Sequence, residues 1–221
     1  MGKTGFDKFL TVLLVILVIA VLSCLGFLLY KYYEKYNINN DSNKYCDGDL
    51  NNVLEEIREQ NEEYDEQNAI NEQTVQTGPR GIDTDKLNYK GYKVEGKLEM
   101  PSVNLQYPVL EQMTDINELE VSIAIQYGVG LNKPGNTILI GHNYRSGLFF
   151  GSNKNMQIGD SIYITDTVTG KRIEYKIYDK YTTEESDTSY FNRNTNGKRE
   201  VSLVTCQSNN KYRLIILARE V

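Results

Sequence analysis

The sequence predicts an all-β barrel or sandwich carried behind a single apolar N-terminal helix. Three observations predict it. An uncharged run extends from Phe9 to Leu29, an acidic polar stretch follows it, and from Tyr89 onward short apolar runs alternate with turn residues.

The first run is almost entirely Leu, Val, Ile, Phe and Ala. At about 1.5 Å rise per residue it reaches roughly 30 Å, the thickness of a hydrocarbon core. A cleaved signal peptide has an apolar region of only about 7–15 residues and ends at a small-x-small site. Leu22-Ser23-Cys24 resembles a lipoprotein site, but apolar residues continue after Cys24 through Leu29. Residues 1–30 are therefore read as a short tail and a retained anchor. Lys3 and Lys8 precede the span, and Lys31 and Lys35 follow it, so the charge rule for orientation is nearly balanced. A short N-terminal tail and a large C-terminal domain fit a cytoplasmic N-terminus.

Residues 31–86 read as an acidic polar spacer. Asp41 to Lys86 holds 13 acidic and 4 basic residues with many Asn and Gln. Leu50, Val53, Leu54 and Ile57 fall at i, i+3, i+4 and i+7, which predicts a short helix over 50–60 with Asp49 as its cap. The rest is too polar, by composition, to bury a core and reads as a solvated stalk.

Residues 87–221 form the domain itself. Strands are expected over Lys93–Met100, Val103–Leu110, Thr137–Ile140, Ser161–Thr165, Arg172–Tyr178, Val201–Thr205 and Tyr212–Leu217. Pro134-Gly135-Asn136, Gly159-Asp160 and Thr169-Gly170 supply turns between them. Asp115–Tyr127, with Ile116, Leu119 and Ile123, reads as a helix. Many short strands indicate a barrel or sandwich, and a closed barrel would leave no exposed edge.

Composition excludes several functions. A net charge of −6 argues against a nucleic-acid binder. No glycine-rich phosphate loop is present. With 3 cysteines, no CxxC pair and 1 histidine, a Cys/His zinc site lacks ligands, and no metal or other cofactor is expected. A Cys46–Cys206 disulfide is formally available, but a linker cysteine is a poor partner.

Three residues carry chemistry together. His142 follows the strand Thr137–Ile140, Cys206 ends the run Ser202-Leu203-Val204-Thr205-Cys206, and Arg213 opens the last strand. Singly, each has an ordinary structural explanation: a polar strand end, a buried small thiol, an edge cation. Jointly, they supply a nucleophile for an acyl carbon, a proton carrier and a fixed cation for an oxyanion. A free thiol and a free imidazole, at about 8.5 and about 6.5, would form only about 1% thiolate–imidazolium pair, so such a site must perturb its members.

These motifs resemble the sortase family. Ser202-Leu203-Val204-Thr205-Cys206 is similar to its apolar strand ending in Thr-x-Thr-Cys, with Ser202 in place of the first Thr. Gly141-His142-Asn143 resembles its histidine motif, and Gly147-Leu148-Phe149-Phe150 its Gly-x-Phe-Phe element. Gly159-Asp160-Ser161-Ile162 and Met100-Pro101-Ser102-Val103 resemble its strand entries. The ordered match covers about residues 94–219. The resemblance implies an eight-stranded β-barrel with short helices and a cysteine transpeptidase. Such an enzyme cuts a C-terminal sorting motif of the Leu-Pro-x-Thr-Gly kind from exported proteins. It then passes the acyl group to a cell-wall or pilin amine, from a catalytic domain outside the plasma membrane. It assigns Cys206 as nucleophile, His142 as acid and base, and Arg213 as oxyanion holder, with Thr205 and Asn143 in support. The short interval from Cys206 to Arg213, and the lack of a second apolar segment after Arg219, point within the family to class A-like (housekeeping) or class D-like (sporulation-associated) members. Calcium activation, found in some members, is not assignable here. Glu184, Glu185 and Asp187 read as a solvated loop. A cysteine peptidase using the same residues, and a non-catalytic surface-binding domain, stay open as alternatives.

Overall fold

The computed structural model describes residues 5–68, 84–207 and 210–221. Part of the spacer reading and two residues of the loop after Cys206 lie outside them. Contacts divide the chain into two units, Met1–Ile38 and Asn39–Val221.

Helix α1 runs over Gly5–Asp47 and contains the whole apolar run. Within the first unit its large apolar side chains, from Phe9 through Leu29, are exposed. Among the described residues this is one helix long and apolar enough to cross a membrane.

In the second unit, α2 covers Asp49–Asn68. The strands are β1 (Asn88–Tyr89), β2 (Tyr92–Met100), β3 (Leu105–Gln112), β4 (Ile123–Gly128), β5 (Gly135–Ile140), β6 (Ser161–Asp166), β7 (Arg172–Glu184), β8 (Arg199–Gln207) and β9 (Tyr212–Glu220). Their order is β1-β2-β3-β4-β5-β8-β9-β7-β6, and β6 pairs back to β2. That last pairing, Gly96↔Asp166 through Glu99↔Tyr163, closes an eight-stranded barrel, with the two-residue β1 appended to β2. Tyr107, Tyr175, Phe149, Phe150, Leu98, Leu110 and Ile138 are among the largest fully buried side chains.

Two sequence expectations change. Asp115–Tyr127 is not a helix. A 3-10 turn over Ile116–Glu120 is followed by β4, which pairs in parallel with β3 and antiparallel with β5. Asp115 and Glu118 form a capping box at the start of that turn. Beyond the turn, Ile123, Ala124 and Ile125 are all buried, and their pairing with two strands outweighs the local helical spacing.

The second change concerns the spacer. From Asn39 the chain packs in one unit with the barrel, and α2 extends well past the expected 50–60. Cys46, Leu50 and Leu54 join Tyr89, Val94, Leu110, Leu119 and Ala124 in one core cluster. Val53 and Ile57 are buried as well. Mean polarity conceals this, because a few apolar residues on one stripe suffice to bury a helix face. Polar bonds fix the contact: Ser42 Oγ donates to Gln106 O at 3.1 Å, and Asn61 Nδ2 to Val168 O at 3.2 Å. Gly170, at φ +68°, lets the β6–β7 turn touch α2, since a Cβ there would stand 2.5 Å from Leu54 O.

Candidate active site

Topology gathers the three sequence candidates at one rim. Strands β5 and β8 are parallel neighbours with Ile140 opposite Val204, so both end at the same side of the barrel. Strand β9 returns antiparallel to β8, and its first turn of chain starts there. Cys206 and Arg213 are direct partners in that ladder. Directly opposed residues of an antiparallel pair put their side chains on the same face, with Cβ atoms about 5 Å apart.

Two supporting residues fasten the histidine segment to the cysteine strand. Gly141 N donates to Val204 O at 3.3 Å, which carries the β5–β8 ladder one residue past the strand end. Thr205 is buried, and its hydroxyl donates to Gly141 O at 2.6 Å. Asn143 Nδ2 donates to Cys206 O at 2.7 Å. Both side chains are thus engaged in holding His142 alongside Cys206. No side chain fits at position 141, where a Cβ would meet Ile123 at 2.8 Å and the Phe150 ring at 3.1 Å.

The loop after His142 folds back through an Asn143↔Phe149 bridge and a bond from Phe150 N to His142 O. Phe149 sits at φ +50°, rare for a bulky residue, and is fully buried. Tyr107 Oη accepts its amide at 2.9 Å, and the two rings pack at 5.3 Å. Backbone held in so unfavourable a region needs support from its surroundings and concentrates at functional sites.

Cys206 is a free, half-buried thiol. Arg213 is mostly covered. Its Nη1 donates to Asn210 O and Tyr212 O at 2.9 and 3.2 Å, and its Nη2 meets Glu185 Oε1 at 2.5 Å. Glu185, read from sequence as merely solvated, is therefore the counterion of the candidate oxyanion holder. Asp187 is occupied differently: bonds from Thr183 Oγ1 and the Ser189 amide hold its carboxyl below the ordinary range.

Sequence reasoning missed Glu120 and Tyr144. Glu120 Oε1 lies 3.2 Å from His142 Nε2, its Oε2 accepts the Tyr144 hydroxyl, and the His142 and Tyr144 rings stand 5.3 Å apart. No motif marked either residue, because their proximity depends on the β3–β4 connection reaching the rim. Cys46, at the end of α1, is buried in the core cluster, and burial pushes its thiol up to about 12. Cys24 lies exposed on α1. Among the described residues, no group of three His, Cys, Asp or Glu side chains is arranged to hold a metal ion.

The family profile described as the Sortase domain matches residues 98–221. A sortase A of Bacillus anthracis is 31% identical over 117 residues, which are 52% of this chain and 53% of that protein. The matched part thus spans about half the length of that curated relative. Solved structures agree in fold. A Listeria monocytogenes sortase A superposes with a TM-score of 0.51 at 22% identity, covering 58% of this chain and 87% of that one. A Clostridium perfringens sortase D5 transpeptidase gives a TM-score of 0.53 at 21% identity, covering 78% and 98%.

Proposed function

The chain belongs to the sortase family, and from that premise we propose that it is a cysteine transpeptidase acting through Cys206, His142 and Arg213. One observation carries the reading: Cys206 and Arg213 oppose each other at the rim where the His142 segment is bound to the same strand.

The Cys206 thiolate attacks the carbonyl carbon of the scissile peptide. The carbonyl oxygen gains negative charge, which the Arg213 guanidinium accepts with its planar fork of donors. The C–N bond then breaks, the leaving amine takes a proton from the His142 imidazolium, and a thioester remains on Cys206. An acceptor amine attacks that thioester and loses its proton to neutral His142. The new amide forms as the thiolate departs, so the site returns to its starting state. Thr205 and Asn143 hold the geometry and stay outside the proton transfers.

The substrate class is a C-terminal sorting motif of the Leu-Pro-x-Thr-Gly kind, and the acceptor is a cell-wall or pilin amine. The barrel from residue 87 forms the catalytic domain and residues 9–29 the anchor, with the catalytic domain outside the plasma membrane. The segment 31–86 joins the two in sequence, and among its described residues Cys46, Leu50 and Leu54 pack into the core cluster of the barrel unit.

The test is a peptide-library cleavage profile read by mass spectrometry, with and without an added amine. A ligated product that appears only with amine, and is lost in Cys206→Ala, is expected. Hydrolysed product alone would make the protein a peptidase, and a Cys206→Ala protein still captured covalently by substrate would remove Cys206 from the reaction.

A further inference from the structure

We propose that Glu120 is a positioning residue for His142, orienting the ring so that Nδ1, not Nε2, carries the moving proton. This rests on the assignment of His142 as the proton carrier.

Glu120 ends a turn that is fixed at both sides. Glu118 Oε1 accepts from the amides of Thr114 and Asp115 at 2.9 Å each, and Asn117 N donates to Asp115 Oδ1 at 3.0 Å. Next to Glu120, Leu119 is buried, and buried Ser122 donates its hydroxyl to Pro108 O at 2.6 Å. The backbone is therefore pinned while the carboxylate stands at the rim.

Both carboxylate oxygens meet the histidine region. Oε2 takes the Tyr144 hydroxyl, whose ring packs against the imidazole and, at 5.8 Å, against buried Phe149. Oε1 lies 3.2 Å from Nε2. That approach is close enough for an ion pair but is not aligned as a hydrogen bond, and among the described residues the buried Nε2 has no aligned hydrogen-bond partner. Catalytic hydrogen bonds in free enzymes are commonly loose and tighten when substrate binds. A small rotation of the ring would give Nε2–H to Glu120 and leave the Nδ1 lone pair for the proton of the acceptor amine. An acceptor on one ring nitrogen fixes the tautomer at the other. A simple exposed ion pair would contribute little to stability and nothing to ring orientation.

The sequence contains 1 histidine, so spectra of the imidazole report His142 alone. The experiment uses the full chain in detergent micelles, labelled with 15N-histidine, compared with Glu120→Ala and Glu120→Gln. At a pH where the ring is neutral, the unsubstituted protein is expected to show mainly the Nε2–H tautomer. Glu120→Ala should give a mixed population and a kcat about 10-fold lower at unchanged KM, a part of what general acid–base catalysis supplies. Glu120→Gln retains an acceptor oxygen and should restore both. An unchanged tautomer ratio in Glu120→Ala, or a wild-type kcat with a changed ratio, would overturn the proposal. If His142→Ala still transfers acyl groups, the functional reading itself fails. The tautomer measurement needs no turnover and decides on Glu120 separately.

Discussion

Thr205→Val removes one donor from the seam between the cysteine strand and the histidine segment while keeping nearly the same shape. Thr205 is 1% exposed, and its hydroxyl lies 2.6 Å from Gly141 O. Valine preserves the packing but takes away the partner of a buried carbonyl, a loss worth about 1–3 kcal/mol. In a domain of this size each kcal/mol moves the melting temperature by about 2–4 °C, so a fall of roughly 2–12 °C is expected. Activity should fall as well. Gly141 directly precedes His142, the proposed proton carrier, and a displacement of about 1 Å at such a group costs on the order of 10²-fold. Calorimetry of the fragment Asn39–Val221 and its peptide-transfer rate measure the two effects. Thr205→Ser should recover most of both, because it keeps the hydroxyl. A Thr205→Val protein that melts at the wild-type temperature and turns over at the wild-type rate would refute the reasoning that this bond sets the site.

Other expectations follow from the same geometry. Arg213→Lys should lower kcat by about 10²–10³, because a point charge replaces the planar fork; an unchanged circular dichroism spectrum must accompany the loss, and near-full turnover would exclude the oxyanion role. Glu185→Gln frees Arg213 from its counterion at 2.5 Å. Since the glutamate is largely exposed, the pair is worth at most about 1 kcal/mol, and kcat/KM should rise by no more than about 5-fold; a fall would show that Glu185 positions the arginine. Ile57→Ala, at a fully buried position of α2, should cost about 2–5 kcal/mol in denaturant unfolding, and no change would detach α2 from the folded unit. Cys46, with its thiol raised to about 12 by burial, stays protonated at pH 8. The fragment Asn39–Val221 should therefore show one thiol reactive towards Ellman's reagent when native and two after denaturation, and two fast thiols in the native protein would contradict that burial.

Much of the barrel is readable in the chain because its strands are short apolar runs bounded by turn residues. Strands β2, β5, β6, β7, β8 and β9 all begin within two residues of where their patterns predict. Strand β4 is the instructive exception. Ile116, Leu119 and Ile123 have helical spacing, and only the neighbouring strands β3 and β5 make the second half of that segment extended. The stripe Leu50, Val53, Leu54, Ile57 correctly signals a helix, yet its burial depends on Gly170 and the core cluster far along the chain.

By itself the sequence determined the apolar helix, the β character of the domain and the residue types at its chemical positions, since these follow from local periodicity and side-chain chemistry. Only the tertiary structure decided which of those side chains meet. Parallel pairing of β5 with β8, antiparallel pairing of β8 with β9, and closure of β2 on β6 are long-range contacts. The carboxylates that face His142 and Arg213 were likewise placed by connections between strands. The physical reason is that a pair distant in sequence leaves no periodic trace in either segment, so its geometry exists only once the barrel closes.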